Sequence, residues 1–258
     1  RVVPDDYPLL DFYRWCWKTG DGWSGYCTRV ADAYRRGLGR DIFSMYSPAL
    51  RTPAFWGTVG SLDLVRNWEY PYSEPYCLAY TAASLQAMAR ESDKMVIVSV
   101  QGISYRNRLA PKGVHPKDEP AWTKKYPNCD YPTTPPDLMR EALWSVFARR
   151  TDGVATHGYD ALLDVAKIFD QPANYDEGKG YRCANPETAY AMKEVFQQVG
   201  IPLGPLLRAV PERAPQVAVL ASYASQILGG RITWNCQGSF YDAGVLAVAA
   251  NLCPYAIN

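Results

Sequence analysis

Short apolar segments alternate with helical segments along the first two thirds of the chain, and this alternation constrains the fold most. Strand-like runs occur at Asp41–Tyr46, Leu62–Tyr70, Met95–Val100 and Gly153–Gly158. The run Met95–Val100 is almost continuously apolar and β-branched, which is typical of a strand buried on both faces in a parallel sheet. Strands that alternate with helices form βαβ units. The sequence therefore predicts an α/β fold with a parallel sheet covered by helices.

The helical segments carry start and stop signals. A helical pattern from Tyr7 to Arg36 is broken at residues 19–22 and ends at Gly37 or Gly39, since glycine favours a helix C-terminus. Good helix formers predict a helix over Pro75–Ser92. A further helix is predicted over Pro136–Arg150, because Pro is favoured in the first turn.

The pattern changes after Asp170. Residues 171–184 combine Gly, Asn and Tyr and predict a boundary. Beyond it the sequence predicts a helix over Asn185–Val199 that Gly200 stops, a short helix at Leu203–Val210, a buried strand at Gln216–Ala221 and a helix at Asp242–Asn251.

Four strands before the boundary are half of what a (β/α)8 barrel of about 250 residues requires. Residues 1–40 read as helix and leave no room for four more strands, although missed strands are the alternative. We expect residues 1–170 to be the C-terminal half of such a barrel, 171–213 a helical linker, and 214–258 the start of a second α/β domain. The first residue is Arg1 and not Met, so we expect the chain to be a piece of a longer protein.

Composition excludes several classes of partner and site. Lys and Arg number 27 against 26 Asp and Glu, so no basic face favours nucleic acid. Apolar runs are too short to cross a membrane. Seven cysteines are dispersed without a C-x-x-C pair, which favours free thiols over a zinc site, with one or two disulfides left open. We expect no metal and no cofactor, and the sequence does not indicate a compartment.

Aromatic residues make up 13% of the chain, with 19 Tyr and 8 Trp. Aromatic faces stack on sugar rings, and the polar atoms of Tyr and Trp add hydrogen bonds, but the same residues also pack protein cores. Both interpretations are open for the candidate stacking residues Trp68, Tyr70, Tyr105 and Trp122.

Four segments resemble one known architecture. Trp15–Trp23, Leu62–Trp68, Met95–Tyr105 and Gly153–Asp160 are similar to the last four strands of glycoside hydrolases related to the β-galactosidases. Those enzymes carry a glutamine-amidotransferase-like trimerisation domain after the barrel, and Val210–Leu220 is similar to that junction. The resemblance implies the C-terminal part of a (β/α)8 TIM barrel followed by a partial flavodoxin/amidotransferase-like α/β domain. It further implies a carbohydrate substrate and a homo-oligomer that assembles through the second domain.

The implied reaction is retaining hydrolysis of a glycosidic bond, as in β-galactosidases and cellulases. It requires a carboxylate nucleophile and a carboxyl acid/base about 5–5.5 Å apart. The family's nucleophile ends the seventh strand, which would be Met95–Val100, but the residue there is Gln101. A glutamine can hydrogen-bond a sugar but cannot form the glycosyl ester. The alternatives are therefore a glycosidase that uses another residue, a catalytically inactive barrel that binds carbohydrate or serves assembly, and an unrelated α/β enzyme.

Glu69 is the candidate catalytic carboxylate. It follows a predicted strand between Trp68 and Tyr70, and aromatic surroundings in a cleft raise a carboxyl pKa and suit acid/base catalysis. Alternatively, Glu69 accepts a hydrogen bond from a sugar hydroxyl or pairs with Arg51.

The remaining candidates are substrate-binding residues. His157 ends the last predicted barrel strand and contacts a hydroxyl or relays a proton, unless it is a half-buried structural histidine. Asp160 is expected to cap the next helix. The predicted substrate-binding residues are Trp68, Tyr70, Gln101, Tyr105, His157 and Arg51. No histidine follows His157 that could activate Cys236, so we expect a non-catalytic second domain.

Overall fold

The computed structural model describes residues 4–18, 22–47, 61–68, 74–104, 131–158, 161–162, 185–211, 213–220, 222 and 239–257. The helices are α1 Pro8–Trp17, α2 Trp23–Leu38, α3 Pro75–Ala89, α4 Pro136–Phe147, α5 Glu187–Val195, α6 Ile201–Ala209 and α7 Ser239–Ala249. The strands are β1 Met45–Tyr46, β2 Leu64–Trp68, β3 Met95–Gln101, β4 Gly153–His157, β5 Val217–Leu220 and β6 Pro254–Ile257.

The first four strands form one sheet in the order β1-β2-β3-β4. Strands β1 and β2 are parallel, with Met45 opposite Leu64 and Tyr46 opposite Val65. Helix α3 lies between β2 and β3 in sequence, and α4 lies between β3 and β4. The spatial order of the four strands in the sheet is therefore the same as their order in the sequence. The predicted α/β class is confirmed.

Strand β3 is buried on both faces over its second half. All residues from Val98 to Gln101 are buried, and successive strand residues point to opposite faces. This burial confirms what the β-branched run predicts. A strand covered on both sides can carry apolar residues at every position, which explains why the segment does not alternate.

A second sheet holds the parallel strands β5 and β6, with Val217 opposite Pro254 and Leu220 opposite Ile257. Parallel neighbours need a crossover connection, and α7 lies between these strands in sequence. Strand β6 is not predicted from the sequence. The strand is only four residues long and begins with proline, which strands tolerate at their first position.

Strand β1 is shorter and more exposed than predicted. Only Met45–Tyr46 is strand, and Phe43 and Met45 are 65% and 52% exposed, so the expectation of a buried strand over Asp41–Tyr46 is wrong. The backbone N–H of Ser44 donates to the Asp63 carboxylate at 2.6 Å. The backbone oxygen of Ser44 accepts the N–H groups of Asp63 and Leu64 at 3.0 and 3.3 Å, so Ser44 is bonded to the start of β2 through both its N–H and its oxygen.

The prediction that Gly200 stops a helix is also wrong. A π-helical turn, Phe196–Gly200, leads directly into α6, and Gly200 has helical dihedral angles of −59° and −49°. A Cβ at this position would lie 3.0 Å from Phe196 Cδ1 and 3.1 Å from Phe147 Cζ. The two phenylalanine rings meet edge to face at 5.5 Å. Gly200 therefore provides close packing, and the helix continues through it.

The chain divides into two compact units. The first comprises Arg1–Asn67, Ala82–Ile97 and Arg213–Asn258, and the second comprises Trp68–Thr81 and Val98–Glu212.

Helix α4 supplies much of the core of the second unit. Met139, Ala142, Leu143 and Val146 recur at helical spacing and are fully buried where α4 packs on α5. Full burial of side chains such as Leu143 contributes about 1.5–3 kcal/mol each.

The core of the first unit includes Tyr13 and Cys16 from α1, Ala31 from α2, and Leu64 and Val65 from β2. Among the described cysteines, Cys27 and Cys253 are free thiols, in agreement with the prediction for these residues. None of the described helices combines the length and apolarity that crossing a bilayer requires.

Candidate functional site

Two predicted site residues are the last residues of neighbouring strands. Gln101 ends β3 and is fully buried, and His157 ends β4 and is half-buried. The N–H of Gly102 donates to the backbone oxygen of His157 at 2.7 Å. The structure therefore brings the ends of these strands together. Residues 101–104 and 157–158 are termed the carboxyl edge below.

Most of the other predicted site residues belong to segments other than those that the structure describes. Glu69, Tyr70, Tyr105 and Arg51 lie outside the described residues, as do Trp122, Asp160 and Cys236. Trp68 is the last residue of β2, the neighbour of β3 on the side away from β4.

Two glycines allow the backbone to approach closely at the carboxyl edge. A Cβ on Gly102 would lie 2.9 Å from Leu162 Cγ and 3.0 Å from the backbone oxygen of Gly158. Gly158 has a φ of +76°, and a Cβ there would lie 2.7 Å from Ile103 Cγ2. A larger residue at either position would push the chain segments apart. Neither glycine is among the site residues predicted from the sequence.

The buried residues Thr133 and Thr134, termed the threonine strap, join this edge from a distant part of the chain. The N–H of Thr134 donates to Gly102 O at 2.9 Å, and its hydroxyl donates to Gln101 O at 3.0 Å. The hydroxyl of Thr133 donates to Ala161 O at 2.8 Å. The strap therefore supplies hydrogen-bond donors to backbone oxygens at the end of β3 and beyond the ends of β3 and β4.

Helix α5 is attached to the same strap. The hydroxyl of Thr188, in its first turn, donates to Thr134 O at 2.6 Å, and the Asn185 N–H donates to Thr133 Oγ1 at 3.3 Å. Asn185 Oδ1 in turn accepts the N–H of Glu187 at 3.1 Å, which caps the start of the helix. The sequence marked Asn185 as a helix start but gave no sign of these long-range bonds.

The described part of the site is polar and almost uncharged. Among residues 101–104, 131–135, 157–158 and 185–188, the one carboxylate is the exposed Glu187. Gln101, Thr133, Thr134 and Thr188 are fully buried here, whereas the imidazole of His157 is half-buried and can donate or accept a hydrogen bond. No cluster of metal-ligating side chains occurs among the residues that the structure describes.

A second polar cluster lies at the amino ends of β1 and β2. Asp63 Oδ2 accepts hydrogen bonds from the Ser44 N–H at 2.6 Å, from the Ser44 hydroxyl at 2.7 Å and from Arg35 Nη2 at 2.9 Å. Burial acts to raise the pKa of Asp63, but the bonds from Ser44 and the charges of Arg35 and Lys94 together lower it.

Cys27 has no features of a nucleophile. Burial, together with the neighbouring Cys16, raises the pKa of the Cys27 thiol, so it stays protonated at neutral pH.

The carboxyl edge is thus the described place where predicted binding residues converge. Comparison of the chain with protein-family models, with curated proteins and with solved structures finds no match.

Proposed function

We propose that the chain is part of a (β/α)8 barrel of the glycoside hydrolase type, which acts on a carbohydrate at the carboxyl ends of β2, β3 and β4. The strand order β1-β2-β3-β4, with α3 connecting β2 to β3 and α4 connecting β3 to β4, is the observation that supports this proposal. A barrel keeps its strands in chain order, whereas a doubly wound sheet reverses the order at a switch point.

In this proposal the catalytic and binding groups follow successive strands. Glu69 follows β2, Gln101 ends β3 and His157 ends β4. Barrel enzymes place their chemistry at the carboxyl ends of the strands. Glu69 donates a proton to the departing glycosidic oxygen while a second carboxylate of the barrel attacks the anomeric carbon, and water then hydrolyses the glycosyl ester with Glu69 as the base. The half-buried imidazole of His157 hydrogen-bonds a sugar hydroxyl, whereas Gln101, predicted as a binding residue, is fully buried.

The buried Gln101 favours a second candidate function. Its amide is fully buried at the end of β3, where the resemblance places a carboxylate nucleophile. An amide carries no negative charge and does not attack an anomeric carbon. The second candidate is therefore a barrel that binds carbohydrate without cleaving it.

Hydrolysis is tested with a panel of p-nitrophenyl β-glycosides. We expect turnover by the chain and a loss of about 10²–10⁴-fold in Glu69→Gln, the range that removal of an acid/base group produces. Glu91→Gln changes an exposed glutamate after α3 and serves as the matched control, with unchanged turnover. Undiminished activity of Glu69→Gln rejects the role of Glu69.

Binding separates the two candidates. Titration calorimetry with the same glycosides detects a complex whether or not the bond is cleaved. Binding without turnover supports the second candidate and rejects the first. A chain that neither binds nor cleaves these glycosides rejects both.

The resemblance also implies that copies of the chain form a homo-oligomer. We propose self-association through residues 214–258, the segment that contains the parallel pair β5 and β6.

A further inference from the structure

We infer that Thr134 is a positioning residue of the carboxyl edge. It acts through the backbone of Gln101 and Gly102, and it holds His157 in the arrangement that binds the sugar. The part of this inference that concerns sugar rests on the proposed function. The part that concerns the placement of His157 does not.

Thr134 fixes the peptide groups on both sides of the Gly102 Cα. Its hydroxyl donates to Gln101 O at 3.0 Å, and its N–H donates to Gly102 O at 2.9 Å. The N–H of Gly102 donates to His157 O at 2.7 Å. Consequently the ends of β3 and β4 are held relative to each other by a short chain of three hydrogen bonds that begins at Thr134.

Burial makes these bonds strong and their loss costly. Thr134 and Thr188 are both fully buried, and the Thr188 hydroxyl holds Thr134 O at 2.6 Å. Because these groups are fully buried, removal of the Thr134 hydroxyl leaves the backbone oxygen of Gln101 without that donor. The backbone then shifts towards another partner or bears the desolvation penalty.

The carboxyl edge is too tightly packed to accommodate such a shift without other atoms moving. Leu162 Cγ and Gly158 O lie 2.9 and 3.0 Å from the position that a Cβ on Gly102 would take, so the Gly102 backbone is in close contact with both. Binding and catalytic groups act only when they are held within about 0.5 Å of their productive geometry. A small movement of the Gln101–Gly102 backbone therefore changes the site as well as the stability.

The test compares three threonine variants. Thr134→Val removes the hydroxyl at nearly constant volume, and Thr134→Ser keeps a hydroxyl. Thr151→Val is the matched control, because the Thr151 hydroxyl also donates to a backbone oxygen, Val146 O at 3.3 Å, in the same unit. Affinity for p-nitrophenyl β-galactoside is measured by calorimetry for each variant, alongside the free energy of unfolding.

A second readout does not depend on sugar. The chain has two histidines, His115 and His157, so the NMR spectrum of chain labelled in the histidine rings holds two ring signals, which His115→Gln assigns. We expect Thr134→Val to shift the His157 signal and to weaken glycoside binding about tenfold, which corresponds to about 1.4 kcal/mol. Thr134→Ser and Thr151→Val keep the wild-type signal and bind within about twofold of wild type.

Each outcome decides the inference. Wild-type affinity and an unmoved His157 signal in Thr134→Val overturn it, and so does an equal change in Thr151→Val. A wild-type chain that binds no glycoside rejects the proposed function, and the His157 signal alone then decides whether Thr134 positions the edge. If Thr134→Val does not fold, Thr188→Val removes the neighbouring bond to Thr134 O and is measured in the same way, with the same criteria.

Discussion

Gly102 and Gly37 show how differently two glycines act in one chain. A Cβ on Gly37, near the end of α2, would meet no atom within 4 Å, whereas a Cβ on Gly102 would lie 2.9 Å from Leu162 Cγ. The first site has room for a side chain and the second has none. In a helix, glycine is also less favourable than alanine by about 0.5–1 kcal/mol.

The two alanine substitutions should therefore change the free energy of unfolding in opposite directions. We expect Gly102→Ala to lower the free energy of unfolding by about 1–3 kcal/mol, because the new methyl group forces Leu162 or the backbone of Gly158 to move. Gly37→Ala should raise it by up to about 1 kcal/mol. Urea denaturation measures both, and a neutral Gly102→Ala would show that the edge can relax.

At the level of residues, the sequence indicates part of the site. Gln101 and His157 are identifiable because each directly follows a strand-like run, and a strand end is a local property of the chain. Thr134 is not identifiable in this way. Its partners at Gln101 and Thr188 lie 33 and 54 residues away, and no local pattern specifies such a pairing.

At the level of elements, Asp63 joins a helix to two strands. It directly precedes β2, bonds Ser44 before β1, and pairs with Arg35 of α2. The bonds from Ser44 and the nearby cations keep the pKa of this carboxyl below its ordinary value of 3.8 although burial acts against them. The ionised form of Asp63 therefore stabilises the folded chain.

Asp63→Asn should lower the free energy of unfolding by about 1–2 kcal/mol at pH 7, through weaker hydrogen bonds and a lost ion pair. As pH falls, the unfolded chain binds the proton first, because the pKa is lower in the folded state. The contribution is thus complete above about pH 3.8 and is lost as pH falls through the folded-state pKa. Urea unfolding of the wild-type chain and of Asp63→Asn across pH 2–7 measures this effect, because their free energies of unfolding should converge as the pH falls.

The exposed Asp11 provides a control for the pH series. Its carboxylate pairs with Arg14 at 3.2 Å on the surface of α1, where ion pairs contribute little. Asp11→Asn should change stability far less than Asp63→Asn. Equal effects would show that the bonds to Ser44 add nothing.

The sequence predicts elements well when their signal is local. Helices α3 and α4 begin at Pro75 and Pro136, the predicted first residues, because composition and proline placement are properties of the segment itself. Elements set by tertiary contacts are missed. Gly200 stays helical because two phenylalanine rings occupy the space beside it, and β6 forms because β5 lies alongside.

At the level of the whole molecule, the sheet of β5 and β6 has exposed apolar side chains. Parallel sheets are normally covered on both faces. Leu220 and Ile257, which are opposite each other at the end of this sheet, are 59% and 39% exposed. Two exposed apolar side chains in register are compatible with the proposed self-association through residues 214–258.

Light scattering tests that assembly. We expect a mass above 28.9 kDa for the chain, and a shift towards the monomer in Leu220→Lys, because burying an unpaired ammonium group opposes association. Leu206→Lys changes a similarly exposed leucine in α6 of the second unit and should leave the mass unchanged. A monomeric wild-type chain contradicts the proposal.

The threonine strap has a consequence for the time course of folding. Its bonds join residues near 101, near 134 and near 188, so the chain must close two long loops before the carboxyl edge exists. Loop closure opposes such contacts until they form, and structures rich in them fold slowly. Local helix formation cannot build this edge. It is completed only when three distant segments meet, so we expect locally formed helices to precede the carboxyl edge during folding.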